Sequence, residues 1–324
     1  MATITRRGLG ASAAALLLSR RARATGYPDR PVTIINPFAA GGQSDPLGRA
    51  VALHLQRRLG QPFVLENRTG AGSTIGAQYV ARTAADGYTL LFGTTSTFVI
   101  APFVYANAGY DPAASFAPVA VASEGPMVLT THSRSGYASV ADVVAAARRS
   151  PGRITYASAG SGSLPHLLGE VFARATGAEL THVPYRGGAP AMNDLIGGQV
   201  DLFFEAVANV VPHVEGGRAV ALMSTGPARS RLLPTVPTAT ELGHGDLTLT
   251  SWTGFAAPVS TPAHVIEGLN QGINEALRTP EVIALMERIG ISGIGGSPTD
   301  MAGRIARESA VYKGIITAAK ISAE

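Results

Sequence analysis

The stretch "PVTIINPFAAGGQSDPLGR", residues 31–49, contains a β-branched apolar run, a glycine-containing turn and the start of a helical pattern in immediate succession. A turn that joins a strand to a helix in this way presents unpaired backbone N–H groups and the positive end of the helix dipole. In an open α/β sheet, ligands bind at the carboxyl ends of the strands, where such turns lie. The stretch therefore predicts a strand, a helix and, between them, an anion-binding loop.

Two other segments repeat this order of strand, glycine loop and helix. The loop "NRTGAGSTIG" follows the apolar run "FVLE", and "SAGSGSLPHLLGE" follows "ITYA". Glycines also serve simply to allow tight turns with positive φ, and one loop alone favours that structural interpretation. Matched loops in two parts of the chain favour ligand binding instead.

Short β-branched runs alternate with helical patterns from Tyr27 onward. The predicted strands are "PVTIINPF", "FVLENR", "YTLLFGT", "APVAVA", "MVLTTH", "RITYAS", "ELTHVPY", "QVDLFFE" and "AVALMS". This alternation predicts an α/β fold of two lobes, each a mostly parallel sheet flanked by helices.

Several helix starts are marked by their N-cap residues. Ser139 and Asp142 form an approximate capping box. A hydroxyl residue followed by proline predicts an N-cap and a first helical position at three pairs, Thr261–Pro262, Thr279–Pro280 and Ser297–Pro298. The C-terminal part of the chain is therefore predicted to be largely helical.

The positive charge of the 324-residue chain is concentrated at its N-terminus. The formal net charge is +4, but five arginines lie within the first 24 residues; without them 21 basic residues face 22 acidic ones, a net charge of −1. A twin arginine in "TRRGLG", a short apolar run in "GLGASAAALLL" and the ending "ARA" predict that residues 1–26 are an export signal peptide of the twin-arginine type. The alternative is an amphipathic helix retained on a cytosolic protein. The balanced charge of the remainder gives no indication of nucleic-acid binding.

The composition excludes several kinds of site. The sequence has no cysteine, which excludes disulfides, thiolate metal sites and thiol catalysis. Its seven histidines never lie four residues apart or in an H-E-x-x-H pattern, so no metal site is predicted. No apolar run approaches about 18 residues, the length that spans a bilayer. No cofactor is expected.

Two alternatives to ligand binding by the glycine loops have weaker support. The segment "GSGSLP", with Glu179 further along the chain, is similar to a dinucleotide fingerprint, but Pro165 occupies the position of the third glycine. No serine stands in a G-x-S-x-G pattern. Ser158 and Ser163 lie near His166 in the sequence, which leaves an exported serine-type esterase as an alternative function.

Longer motifs follow the predicted signal peptide in a fixed order: "YPDRPVTIINPFAAGGQSD", "NRTGAGSTIGAQYVARTAADGYTLL", "YASAGSGSLPHLLGEVF", "HVPYRGGAPAMNDLIGGQVDLFFE" and "LPTVPTATELG". Together they resemble the substrate-binding receptors of tripartite tricarboxylate transporters, the Bug receptors, from about Tyr27 to the C-terminus. The resemblance implies a two-lobed periplasmic binding protein with the Venus flytrap fold. Such a receptor is a monomer without enzymatic activity that closes on a small organic acid and delivers it to membrane transporter subunits. A ligand sensor for a membrane signalling protein is an alternative that would use the same cleft.

In that family one ligand carboxylate lies between a loop of each lobe, held largely by backbone N–H groups, hydroxyls and water. Lobe 1 is expected to comprise residues 27–124 and 246–324, and lobe 2 residues 125–245, with a hinge near the crossing segments "VAVASEG" and "LTLTSW". The implied ligand-binding residues of lobe 1 are Phe38, Ala39, Gly42, Ser44, Asp45, Thr94, Thr95 and Ser96. Those of lobe 2 are Ser158, Ala159, Gly162, Ser163, His166 and Glu205.

Three positions depart from the family pattern. Asn36 stands where an apolar residue is usual, Ser73 replaces a common glycine, and Glu205 occupies a position where aspartate is common. The resemblance therefore leaves open which carboxylate is bound and what lies at its distal end.

Overall fold

The computed structural model describes residues 26–42 and 44–322. The predicted signal peptide, residues 1–26, lies outside the described residues apart from Gly26. Within the described part of the chain, no helix is both long enough and apolar enough to cross a membrane.

Strands and helices alternate through most of the chain, as the sequence predicts. The first elements are β1 (Val32–Asn36), α1 (Asp45–Leu59), β2 (Phe63–Asn67), α2 (Thr74–Ala81), β3 (Thr89–Thr94), α3 (Ala101–Val104) and α4 (Pro112–Ser115). The middle elements are β4 (Phe116–His132), α5 (Val140–Arg149), β5 (Ile154–Ser158), α6 (Leu164–Thr176), β6 (Leu180–Pro184), α7 (Gly188–Gly197), β7 (Leu202–Ala206), α8 (Val207–Glu215) and β8 (Ala219–Ser224). The last elements are β9 (Thr250–Pro258), α9 (Ala263–Ala276), α10 (Pro280–Arg288), β10 (Ser292–Gly295) and α11 (Pro298–Ala319).

The long strand β4 connects two groups of strands. Its first part, up to Pro126, pairs with β9 and β10, and its last part, from Met127, pairs with β7 and β8. The strand order is β2-β1-β3-β9-β4 on one side and β4-β7-β5-β6 on the other. The sequence predicted two separate strands in "APVAVA" and "MVLTTH", and the structure joins them into one.

The predicted α/β architecture is present, but its sheets are mixed where the sequence predicted mostly parallel ones. The pairs β1–β2, β1–β3, β5–β6 and β5–β7 are parallel, because a helix crosses over between the strands of each pair. In contrast, β4 and β9 run antiparallel to all of the strands that they pair with. The lobe boundaries at residues 124/125 and 245/246 remain a prediction.

Apolar side chains from both groups of strands form the core. Trp252 on β9 is fully buried and stacks on Phe98, with their ring centroids 5.4 Å apart. The Trp252 indole N–H donates to Glu308 Oε2 on α11 at 2.6 Å, so this helix packs over the region where β4 and β9 pair. The only tryptophan of the sequence is therefore a core residue.

The predicted helix starts agree with the structure in all but one case. The Ser139 and Ser297 hydroxyls accept hydrogen bonds from the N–H of Asp142 and Asp300, as capping-box residues do. Thr279 is the N-cap of α10. The assignment of Thr261 is wrong, because α9 begins one residue later, with Pro262 at the N-cap, and the Thr261 hydroxyl donates to Pro258 O instead.

Candidate functional site

A cleft lies at the carboxyl ends of β1, β3, β5 and β7. It is lined by Phe38, Ala39, Ala40, Gly42, Ser44, Thr94, Ser96, Met127, Ala159, Ser163, Leu164, Pro165, Gly187, Gly188, Ala189, Glu205, Asn209 and Ser251. The cleft is therefore built from loops that are far apart in the sequence.

The structure brings nine of the fourteen proposed ligand-binding residues to the wall of this cleft: Phe38, Ala39, Gly42, Ser44, Thr94, Ser96, Ala159, Ser163 and Glu205. The other five do not line it: Asp45, Thr95, Ser158, Gly162 and His166. These five lie behind the wall, where their hydrogen bonds hold the lining loops.

The first loop is held by hydrogen bonds from two asparagines. Asn36 Oδ1 accepts from Ser44 Oγ at 3.0 Å, and Asn67 Nδ2 donates to Phe38 O at 2.8 Å and to Asp45 Oδ1 at 3.2 Å. Asn36 is one of the departures from the family pattern, and it is fully buried at this point. Its Oδ1 thereby braces the loop, while its Nδ2 is buried with no hydrogen-bond partner among the described residues.

Asp45 is the first residue of α1, and Ser44 is the N-cap. Burial alone would raise the pKa of Asp45, but hydrogen bonds from Arg49 and Asn67 outweigh it and hold the pKa below its usual value. Arg49 Nε lies 2.9 Å from Asp45 Oδ2. Asp45 therefore stays ionised, and the Arg49 guanidinium balances its charge.

The loop between β5 and α6, residues 159–163 and called the second loop below, contacts the first half of the chain at the start of α6. Leu164 N–H donates to Ser96 Oγ at 3.0 Å, and Tyr105 Oη donates to Ser161 O at 2.8 Å. Ser163 is the N-cap of α6 but does not cap with its side chain, because its hydroxyl donates to Gly160 O at 2.6 Å. These contacts join the two walls of the cleft.

The serine–histidine pair suggested by the sequence is not formed. Ser158 Oγ lies 2.7 Å from His182 Nε2, and His166 Nδ1 instead accepts from Gly162 N–H at 3.2 Å. Ser158 is fully buried and does not line the cleft. The arrangement braces the loop through the buried Ser158, which is not placed as an accessible nucleophile.

His166 and His182 stack on each other with ring centroids 4.0 Å apart, and His182 stacks on Tyr156 at 4.9 Å. The register of β5 with β6 places His182 opposite Tyr156, so the stack follows from the strand pairing. Burial lowers the pKa of each histidine to about 4, with His166 contributing to the shift at His182. Both rings are therefore neutral near pH 7.

A third segment, Gly187–Ala189, where α7 begins, also lines the cleft and was not predicted to do so. The N-cap Gly187 has φ of +128°, a conformation that glycine adopts readily, so the "GG" in "PYRGGAP" is the signal that was available. Met127, Asn209 and Ser251 also line the cleft without having been predicted.

Three helix N-termini therefore meet at the cleft: those of α1, α6 and α7. None of the described residues that line it is a lysine, an arginine or a histidine. The positive potential of this wall comes from backbone N–H groups and helix dipoles, an arrangement that suits an anion with few charges. No group of three or more histidine, aspartate or glutamate side chains able to hold a metal ion occurs among the described residues.

The sequence matches the family described as "Tripartite tricarboxylate transporter family receptor", TctC, over residues 47–321. It is 36% identical over 300 residues to Protein BugT of Bordetella pertussis, a match that covers 91% of each chain. It is also 35% identical to a UPF0065 protein of Pseudomonas sp. strain P51, covering 98% of this chain and 95% of the relative.

Solved structures are similar over nearly the whole chain. The periplasmic binding protein BugD superposes with a TM-score of 0.87 and 32% identity, covering 92% of this chain and 100% of that one. A Rhodopseudomonas palustris protein with adipate gives a TM-score of 0.87 and 36% identity, covering 91% and 99%. MatC of the same organism, with bound malate, gives 0.85 and 30%, covering 90% and 100%.

The histidine stack predicts a loss of stability in acid. A histidine whose pKa is lower in the folded than in the unfolded state, where it is about 6.5, stabilises the fold above that value and loses this contribution as the pH falls toward 4. Glu205, whose pKa is raised by burial, acts in the opposite sense over the same range. Comparing the wild type with a histidine variant separates the effect of the histidine stack from that of Glu205.

We expect the melting temperature of the wild type to fall more between pH 7 and pH 4.5 than that of His182→Gln, which cannot take up a proton. His264→Gln, at an exposed position, is the control and should fall as the wild type does. An equal fall in His182→Gln and the wild type would contradict the assignment of the acid sensitivity to the stack.

Proposed function

The chain belongs to the tripartite tricarboxylate transporter receptor family, and from this we propose that it captures a small organic carboxylate by closing its two lobes and delivers it to membrane transporter subunits. The chain has the α/β periplasmic binding protein fold of BugD, and the family consists of binding proteins and not of enzymes. The catalytic alternative, a serine-type esterase, is therefore set aside.

One observation carries the proposal: helix N-termini converge on a cleft that has no cationic side chain among its described lining residues. Within the described residues, none accepts a hydrogen bond from the N–H of Ala159, Gly188 or Ala189. Thr94 Oγ1, which is buried, also has no partner among them. These groups are hydrogen-bond donors at or beside the lining of the cleft, and a carboxylate would accept from several of them at once.

Affinity then depends on the number of such bonds and on exclusion of water. A hydrogen bond to a charged group contributes about 1.5–3 kcal/mol, whereas micromolar binding requires about −8 kcal/mol after all costs. Several such hydrogen bonds in a closed cleft are therefore needed to reach micromolar affinity. The hydrogen bonds Leu164–Ser96 and Tyr105–Ser161 already join the two walls in this structure, and opening of the cleft would break them.

The hinge is proposed where β4 changes partners, at Gly125–Met127, and where the chain returns into β9 at Thr250. Both points fall within or beside the segments that the sequence predicted. Relatives solved with adipate and with malate support a dicarboxylate as the ligand class. The periplasm as location and the transporter subunits as partners are proposed from the family.

A thermal shift screen tests the proposal. A ligand that binds only the folded cleft stabilises it by mass action, so at least one acid in a panel of mono- and dicarboxylates should raise the melting temperature, in proportion to the logarithm of its concentration. The matched neutral amide should have no effect. Equal stabilisation by an acid and its amide would contradict recognition of the negative charge.

Ser96 and Ser163 both line the cleft, and we expect their replacement by alanine to have different effects on ligand affinity and on stability. Ser96 Oγ accepts from Leu164 N–H and keeps its own proton for a ligand, whereas the Ser163 proton is already donated to Gly160 O. We expect Ser96→Ala to weaken binding of the stabilising acid by tenfold or more, since a hydrogen bond to a charged group is lost at about 1.5–3 kcal/mol.

Ser163→Ala is the matched control at the opposite wall and should mainly lower the melting temperature of the apo protein. Calorimetric titration and thermal unfolding of both variants measure the two quantities. A larger loss of affinity in Ser163→Ala than in Ser96→Ala would contradict this division of roles.

A further inference from the structure

Glu205, at the end of β7, is the one carboxyl group among the described residues that line the cleft, and only 5% of its surface is exposed. Its two oxygens have different surroundings. Oε1 accepts from Ala206 N–H at 2.7 Å and from Asn209 Nδ2 at 3.3 Å. Both partners are donors, so Oε1 must remain an acceptor.

The other oxygen, Oε2, receives no hydrogen bond from any described residue. It lies against Gly188 at the start of α7, so closely that a Cβ atom at Gly188 would overlap it. If the carboxyl group carries a proton, that proton therefore sits on Oε2, at the lining of the cleft and beside the positive end of α7.

Burial raises the pKa of Glu205 to about 7, although the hydrogen bonds from Ala206 and Asn209 lower it in part. Near pH 7 the group is therefore divided between the two protonation states. A ligand that prefers one state can select it at little cost.

Other ionisable groups lie on the neighbouring elements. On α8, burial and Arg218 lower the pKa of His213, and on α7 the Asp194 carboxylate accepts from Tyr185 Oη at 2.8 Å. Across the cleft, Asp45 is paired with Arg49. The stacked histidines behind the second loop are neutral above about pH 5, since their pKa values are about 4.

The arginine that precedes α7 in the sequence, Arg186, does not line the cleft beside Glu205. Arg186 lines a neighbouring cavity with Tyr105 and Tyr185, and it is absent from the described lining of the cleft. A second carboxylate at the α7 end of the cleft would therefore meet the α7 N-terminus and Glu205. An ionised Glu205 would repel it, whereas a protonated one would donate to it.

We propose that Glu205 binds the second carboxylate of a dicarboxylate as a protonated hydrogen-bond donor, so that capture of the ligand takes up one proton from solution. This inference rests on the proposed function. It assigns the first carboxylate to the loops at α1 and α6, and the second to Glu205 Oε2 and the start of α7. The opposite case, a ligand with an ammonium group, would select the ionised carboxylate and release the proton.

The test is calorimetric titration of the intact protein with adipate and with malate from pH 6.5 to 8.5, where both ligand carboxyl groups are ionised. If only the protonated form binds, the dissociation constant should rise about tenfold between pH 7 and pH 8.5. Titration at pH 8 in buffers of different ionisation enthalpy should report uptake of roughly one proton per ligand.

Glu205→Gln reproduces the protonated group atom by atom, with an amide oxygen to accept from Ala206 and an NH₂ group to donate at the Oε2 position. This variant should bind the same dicarboxylate with a dissociation constant that does not change with pH and with no proton uptake. Glu179→Gln, at an exposed position of the same half, should behave as the wild type. Hexanoate, which lacks the second carboxylate of adipate, should bind without proton uptake.

Binding of either dicarboxylate by the wild type that is independent of pH, or that releases a proton, would overturn this inference and leave the proposed function intact. A Glu205→Gln variant that melts as the wild type does but loses affinity would also overturn it. Proton uptake by the wild type needs no variant, so the inference can be tested even if Glu205→Gln fails to fold. Failure of adipate, malate and hexanoate to bind at any pH would overturn the inference together with the dicarboxylate assignment on which it rests.

Discussion

Backbone N–H groups at the starts of α1, α6 and α7 supply the positive potential of the cleft, and the rest of the site serves to hold them in place. A lysine or arginine could attract an anion from many positions, but an N–H group acts only where the chain puts it. Each of the three helices must therefore begin at the cleft, which requires that the strands before them end there. The α/β fold meets this condition because consecutive parallel strands end at the same edge of a sheet.

Residues behind the wall keep the loops in position. Asn36 and Asn67 hold the loop before α1, while Ser158 and His182 hold the loop before α6. These side chains are buried or partly buried and hydrogen-bond to the loops or to each other, so moving a loop would break those hydrogen bonds. Because burial lowers the pKa of His166 and His182, the stack that holds the loop before α6 is also expected to make the fold less stable in acid.

Local patterns predicted much of this arrangement. The strands, the first and second loops and most of the helix starts follow from β-branched runs, glycines and N-cap residues that lie close together in the sequence. The pairing of Ser158 with His182 could not be predicted in this way, since it depends on the register of β5 with β6. The same is true of β4, whose two predicted strands form one because β9 pairs along its first part and β7 along its last. The role of Gly188 depends on Glu205, which approaches it only in the folded chain.

A crystal structure of the protein with its most strongly stabilising acid would show directly whether backbone N–H groups hold the ligand. We predict that one ligand carboxylate lies within about 3 Å of backbone N–H groups of the loops before α1 and α6, with no cationic side chain in contact. A ligand whose charged end is instead held by Arg186 in the neighbouring cavity, with no contact to those N–H groups, would contradict recognition by the backbone.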